Sequence, residues 1–198
     1  MVNQKYYPLY NIKTVNPVVC VENLFTIEEI EKIVNQLATV KIIPAFIGNS
    51  FDYDETHKIR KSNISFIEDD SFNWVYDKLV TAVKYVNETN YNKVLYGIEP
   101  LQYTEYDSSY QGFYGIHKDE NESEVNIGLL RKLSFTMQLS DPKDYTGGDL
   151  VIHSNDRING TKKLGDITFF DSMTPHEVLP VESGFRKSLV GWVVGPRV

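Results

Sequence analysis

Hydrophobic residues recur at helical spacing in two segments of the first half of the chain. Thr26 and Glu29 form a capping box, and the apolar stripe behind it predicts a helix over residues 27–38. A second stripe predicts a helix over residues 71–86. The stripes consist of Ile27, Ile30, Ile33, Val34 and Leu37 in the first helix and of Trp74, Val75, Leu79, Val80 and Val83 in the second.

Short β-rich segments dominate the rest of the chain, where aromatic and β-branched residues are frequent and Gly or Pro turns separate the runs. Strand-like pieces near residues 41–47 and 59–67 flank a polar loop at 48–58. Seven further strands are predicted at 98–106, 113–118, 131–140, 149–153, 166–170, 176–181 and 186–194. Two helices followed by many short strands predict an α+β, mainly β protein whose helices cover one face of a sheet sandwich or barrel.

The segment 131–140 shows the clearest alternation. Leu133, Phe135, Met137 and Leu139 occupy one face, and Ser134, Thr136, Gln138 and Ser140 occupy the other. The apolar face is expected to pack on the core or under the helices. The alternation alone favours solvent for the polar face, because antiparallel sheets are often solvated on one side.

Composition narrows the class of protein. The 198 residues include 41% hydrophobic and 24% charged residues, as in ordinary globular chains. A net charge of −7 disfavours broad nucleic-acid binding. The single cysteine, Cys20, excludes an intrachain disulfide; in its apolar run it is expected to be a small buried hydrophobe. No signal peptide or bilayer-spanning run is recognised, so no membrane partner and a cytoplasmic location are expected.

Three residues have the chemistry of a metal site. His117 and Asp119 point to the same face if residues 113–118 form a strand, and His176 begins a later predicted strand. Two imidazoles and one carboxylate on one side of an ion are typical of non-haem Fe(II) oxygenases. Each residue also has a simpler interpretation, because His117 and Asp119 could be a solvated pair and His176 a core histidine. His153 is a weaker candidate ligand.

A carboxylate receptor is a second candidate site. Arg186 and Ser188 share a strand face, and a guanidinium with a neighbouring hydroxyl binds a carboxylate well. The alternative is a surface arginine paired with Glu182 or Glu177.

Ordered motifs over about residues 98–195 resemble the 2-oxoglutarate- and Fe(II)-dependent dioxygenases of the prolyl 4-hydroxylase type. They include Tyr114-Gly115-Ile116-His117-Lys118-Asp119, His176-Glu177-Val178-Leu179-Pro180 and Gly184-Phe185-Arg186-Lys187-Ser188. The other matching segments are 101–106, 131–134, 139–142, 147–150, 165–170 and 191–192.

The resemblance implies a double-stranded β-helix, or jelly roll, at 98–198, supported by 1–97 within one domain, 1–198. His117, Asp119 and His176 then match the iron ligands, and Arg186 and Ser188 match the receptor for the distal carboxylate of 2-oxoglutarate. Tyr106 matches a tyrosine that faces the cosubstrate, and Gln138 stands where relatives often carry a tyrosine. The polar face of strand 131–140 then lines the cavity instead of facing solvent. Candidate substrate contacts are Arg60, Tyr110, Tyr114 and Trp192.

The implied reaction couples oxidative decarboxylation of 2-oxoglutarate to hydroxylation of a C–H bond, most simply in a prolyl residue of a peptide or protein. Fe(II), 2-oxoglutarate and O2 are required, with ascorbate as a candidate reductant. Alternatives are a hydroxylase of a free amino acid or other small molecule, and a non-catalytic metal-binding jelly roll. A nucleic-acid demethylase would carry an arginine where Trp192 stands, and a cupin isomerase would need His153 as a ligand.

Overall fold

The computed structural model describes residues 15–45, 58–119 and 128–197. Within these ranges the chain forms two α-helices, α1 (Ile27–Leu37) and α2 (Asn73–Val86). The strands are β1 (Val18–Val21), β2 (Ile43–Pro44), β3 (Arg60–Lys61), β4 (Asn63–Ile67), β5 (Gly97–Ile98), β6 (Leu101–Asp107), β7 (Phe113–His117), β8 (Leu129–Gln138), β9 (Tyr145–Gly147), β10 (Leu150–His153), β11 (Arg157–Asn159), β12 (Ile167–Asp171), β13 (His176–Val178) and β14 (Val181–Pro196).

Two antiparallel sheets contain all of these strands. The larger sheet has the order β1-β12-β8-β14-β6-β4-β2, with β5 and β9 paired to β14, and the smaller has the order β11-β10-β13-β7-β3. The predicted α+β, mainly β class is therefore confirmed. The predicted loop at 48–58 lies almost entirely outside the described residues.

The main core lies between the helices and the larger sheet. Leu133, Phe135 and Met137 of β8 are fully buried there, which confirms the predicted apolar face of this strand. A smaller apolar cluster joins the two sheets, and its members are Tyr106, Leu150, Ile152, Phe170, Val178 and Val181. The polar face of β8 is therefore covered by the smaller sheet, and the expectation of solvent from alternation alone is wrong, since Ser134, Thr136 and Gln138 are all buried.

Three other burial assignments were wrong. Ile27 and Val80, both placed in the helical stripes, are exposed, since they lie at the margins of the faces that α1 and α2 bury. Cys20 is also exposed. Cys20 belongs to strand β1, which the sequence pattern did not indicate. Its side chain lies on the opposite side of that strand from those of Val19 and Val21, which pack on the core.

The N-terminus of α1 has the predicted capping box. The Thr26 hydroxyl accepts from the Glu29 backbone N–H, and the Glu29 carboxylate accepts from the Thr26 N–H at 2.8 Å. The same carboxylate forms an ion pair with Lys78 of α2 at 2.6 Å. The cap therefore begins α1 and also connects the two helices that cover the larger sheet.

Thr26→Ala is expected to lower the free energy of unfolding by about 1 kcal/mol, because it leaves helix N–H groups without their acceptor. Urea unfolding followed by circular dichroism measures the change. Thr81→Ala, at an exposed position within α2, is the matched control and should be neutral or slightly stabilising. Equal losses in the two variants would contradict the importance of the cap.

Candidate metal centre and active site

His117, Asp119 and His176 converge at the smaller sheet. His117 ends β7 and His176 begins β13, and these two residues are direct partners in the antiparallel register. Asp119 follows β7, where its backbone N–H donates to the Ser172 carbonyl at 3.0 Å. Their ligand atoms all lie within 4.8 Å of one another. The structure therefore brings the three predicted ligands together.

The hydrogen bonds of the two histidines set their tautomers. Nδ1 of His117 lies 2.8 Å from the Gly115 carbonyl, and Nδ1 of His176 lies 3.0 Å from the Thr174 carbonyl. A carbonyl only accepts, so each Nδ1 carries the hydrogen, and each neutral ring directs an Nε2 lone pair elsewhere.

Both lone pairs meet the carboxylate of Asp119. His117 Nε2 lies 3.7 Å from Oδ1, and His176 Nε2 lies 3.4 Å from Oδ2. Burial alone would raise the pKa of the Asp119 carboxyl, but the two imidazoles and the Ser134 hydroxyl hold it below its usual value. Two imidazole nitrogens with free lone pairs and an ionised carboxylate therefore converge, and none of them donates a hydrogen bond to another. This set of ligand atoms fits a divalent cation.

The metal-free protein is expected to lose stability as the pH falls from about 6.5 to about 4. Burial, and then the neighbouring His176, lower the pKa of His117 from 6.5 to about 4. Between these values the unfolded chain binds a proton that the folded protein rejects, so stability is present at higher pH and is lost on acidification.

Urea midpoints of chelator-treated protein across this range test the expectation. His117→Gln removes the titrating ring and should flatten the pH dependence, which separates this effect from other acid-sensitive groups. A wild-type midpoint that is constant over the range would contradict it.

Arg186 is fully buried on β14 and faces the same cavity as the metal ligands. Its Nη1 donates to the Ser188 hydroxyl at 3.3 Å, while Nη2 has no hydrogen-bond partner in the described structure. None of the described carboxylates lies within ion-pair distance of it, so the surface-pair alternative with Glu182 or Glu177 is wrong. A buried guanidinium with an unused N–H edge fits a carboxylate ligand.

Tyr106 and Gln138 lie close to this group. The Arg186 guanidinium lies 5.4 Å from the centre of the Tyr106 ring, which lines the cavity. Gln138 is the register partner of Ser188, and its buried Oε1 has no hydrogen-bond partner within the described residues.

One cavity of about 740 Å³ contains the metal ligands and Arg186. Arg60, Tyr114 and Trp192, three of the candidate substrate contacts, also line it. Tyr114 stacks on His117 with ring centres 3.5 Å apart, and the Arg60 guanidinium lies 4.5 Å from the centre of the Tyr114 ring.

Tyr110 and His153 lie elsewhere. The Tyr110 hydroxyl accepts from Asn63 at 3.3 Å, and this tyrosine is not among the described residues that line the cavity. His153 contacts Glu177 at 2.9 Å and is not part of the cluster of ligands, so the isomerase site that required it is not formed. His57 lies outside the described residues.

Comparison with known proteins relates part of the chain to one superfamily. Residues 101–194 match the model described as the 2OG-Fe(II) oxygenase superfamily. The match spans a little under half of the chain.

Curated sequence relatives also match part of this chain. The chain is 41% identical over 81 residues to a PKHD-type hydroxylase of Gloeothece citriformis, covering 40% of this chain and 36% of the relative. A PKHD-type hydroxylase of Prochlorococcus marinus is 40% identical over 90 residues, covering 43% and 38%. The aligned stretches thus span little more than a third of these curated relatives.

The fold is shared more widely than the sequence. A prolyl-4-hydroxylase from Pseudomonas putida superposes with a TM-score of 0.67 at 18% identity, over 92% of this chain and 94% of that one. A Trichoplax adhaerens prolyl hydroxylase, solved with a hypoxia inducible factor peptide fragment, gives 0.73 at 18% identity, over 91% and 84%. The chain therefore shares the fold of these two solved structures.

Several polar groups of this candidate site were not found from the sequence. Tyr145 packs with Arg186 against Gly148, whose φ of +63° and missing side chain allow both to approach, and the buried Tyr145 hydroxyl has no partner in the described structure. Arg131 forms an ion pair with Glu99 at 2.7 Å and lies 3.8 Å from the centre of the Trp192 ring. The Gly147-Gly148 pair was the signal that could have drawn attention to Tyr145.

Proposed function

We propose that the chain is a 2-oxoglutarate- and Fe(II)-dependent dioxygenase that hydroxylates a prolyl residue in a peptide or protein. The observation that carries this proposal is the shared cavity, which is lined both by the His117–Asp119–His176 cluster and by the buried guanidinium of Arg186. A double-stranded β-helix core at 98–198, supported by 1–97 within one domain, is the architecture that we propose for it. The match of residues 101–194 to the 2OG-Fe(II) oxygenase model supports the cofactor and both cosubstrates.

Fe(II), when bound, supplies the activation of O2 that hydroxylation of a C–H bond needs, and ascorbate could keep it reduced. The protein contributes position and shielding. His117, Asp119 and His176 would hold the ion, and all three line the cavity. Arg186 and Ser188 bind the distal carboxylate of 2-oxoglutarate, and the ring of Tyr106 covers the cavity wall beside them.

The residues that line the substrate side of the cavity favour a substrate that is an extended peptide with an apolar ring. Beyond the metal ligands the wall includes Tyr114, Trp192 and a group of apolar side chains, together with charged residues such as Arg60 and Arg131. The apolar group consists of Ile43, Pro44, Ile64, Phe66, Pro100 and Val190. The Trichoplax relative was solved with a peptide fragment, which supports a peptide as the substrate class here.

Other partners fit less well. The acidic chain and Trp192 disfavour a nucleic acid as the substrate. None of the described helices is long and apolar enough to cross a bilayer. The single cysteine is consistent with action in a reducing compartment such as the cytoplasm.

Anaerobic titration of the Fe(II)-loaded protein with 2-oxoglutarate tests the proposal. A visible charge-transfer band should develop when the cosubstrate binds the ion. With O2 admitted, release of succinate should increase on addition of proline-containing peptides. Stimulation by a free amino acid instead would identify a small-molecule hydroxylase. Folded, iron-bound protein without the band would support the non-catalytic binding module.

A further inference from the structure

Two buried serine hydroxyls connect the Asp119 carboxylate to the larger sheet. Ser134 donates to Asp119 Oδ2 at 2.7 Å, and the hydroxyls of Ser134 and Ser172 are 3.0 Å apart. Their exposures are 1% and 0%, so water does not compete for these hydrogen bonds.

The direction of this hydroxyl chain follows from donor counting. A serine hydroxyl has one hydrogen, and that of Ser134 is given to the ionised carboxylate, which can only accept. Ser172 must therefore donate to Ser134. Ser172 also accepts the backbone N–H of Asp119 through its carbonyl, at 3.0 Å. Residue 172 thus holds both the backbone and, through Ser134, the side chain of Asp119.

The two serines of this hydroxyl chain are held by different strands. Ser134 lies within β8, where its register partners are Phe170 and Trp192. Ser172 directly follows β12. Both serines are therefore held by the larger sheet, whereas His117 and His176 belong to the smaller one.

We infer that Ser134 and Ser172 are positioning residues that set the rotation of the Asp119 carboxylate for divalent-metal binding. The Oδ2 atom of Asp119 accepts from the Ser134 hydroxyl and is also the carboxylate oxygen that lies near His176 Nε2. The Ser134 hydroxyl therefore determines which lone pairs of the carboxylate are directed between the two imidazoles. Without it the carboxylate can rotate about its Cβ–Cγ bond, and the donor set is no longer ordered before metal binding. Groups that orient metal ligands in this way contribute about 10- to 100-fold in affinity. The inference rests on the proposed function, because it assumes that the triad holds an ion.

Direct metal affinity is the test, measured without cosubstrate by titrating metal-free protein with Mn(II) or Co(II) in competition with a chelating dye. Ser134→Ala should weaken binding roughly 10- to 100-fold, and Ser172→Ala should weaken it less, because Ser134 keeps its own bond to the carboxylate. Ser134→Thr keeps the hydroxyl and should restore most of the affinity. The absorption spectrum of the Co(II) form should change in Ser134→Ala.

Ser140→Ala is the matched control. Ser140 is also buried and follows β8 by two residues. Its hydroxyl donates to the Phe185 carbonyl at 2.9 Å and accepts from the Lys187 N–H, so it has no hydrogen bond to Asp119. It should lose stability without losing metal affinity. Wild-type affinity in folded Ser134→Ala and Ser172→Ala would overturn the inference. If Ser134→Ala does not fold, the metal affinity of Ser172→Ala is the deciding measurement. A wild-type protein that binds neither metal would instead refute the proposed function.

Discussion

Asp119→Ala is expected to abolish tight divalent-metal binding and, with it, 2-oxoglutarate turnover. In the proposed metal site Asp119 is the charged ligand, and its oxygens face both Nε2 atoms at 3.4 and 3.7 Å. Losing a ligand should cost more than losing a group that only orients one, so we expect a fall in affinity of more than about 100-fold. Competition titration with Mn(II) and a succinate-release assay measure the two effects.

The fold should survive this change. Asp119→Ala leaves Ser134 and Ser172 hydrogen-bonded to each other and removes a carboxylate whose burial is itself unfavourable. Asp119→Asn keeps the shape of the side chain and should also fail to bind metal tightly, which separates charge from shape. Asp77→Ala, at an exposed position of α2, is the control and should bind normally. Wild-type metal affinity in Asp119→Ala would refute the assignment of the triad.

Local patterns predicted the helices well because their signals are local. The capping box at Thr26 and the stripe behind it define the start of α1 within a single turn, and the structure places α1 at Ile27–Leu37. The strands were predicted less completely, since nine were predicted and the described residues form fourteen, with β1, β9 and β11 among those missed. Residues 176–181 and 186–194 were expected as two strands, whereas β13 ends at Val178 and β14 continues from Val181 to Pro196. β14 is this long because it pairs with several different strands, which no local pattern reveals.

The site was predicted from residue types and family resemblance, but its supporting contacts were not. Alternation correctly divided β8 into two faces, yet it could not show that a second sheet covers Ser134 and Thr136. The contact of Ser172 with Ser134 joins residues 38 positions apart in sequence, and that of Ser134 with Asp119 spans 15. Such pairs depend on strand register, and a single sequence contains no signal for the register between distant strands.

Arg186→Met is expected to weaken 2-oxoglutarate binding by roughly 30-fold to several thousandfold while leaving metal affinity unchanged. Removing one partner of a buried, hydrogen-bonded charge pair costs about 2–5 kcal/mol, which corresponds to that range of dissociation constants. Arg186→Lys keeps the charge but not the planar pair of donors, so it should recover only part of the affinity. The charge-transfer band of the anaerobic Fe(II) protein reports cosubstrate binding directly.

The ligand-free protein provides a second, independent readout of the same change. Arg186 is fully buried, and its Nη2 has no partner in the described structure, so methionine should leave the free energy of unfolding equal or raise it. An arginine with a purely structural role would instead destabilise the fold when replaced. Arg157→Met, an exposed position where the guanidinium lies 3.7 Å from Glu177, is the control and should change neither quantity much. Unchanged 2-oxoglutarate affinity in folded Arg186→Met would show that the cosubstrate carboxylate binds elsewhere in the cavity, where Arg60 and Arg131 carry the other described guanidinium groups.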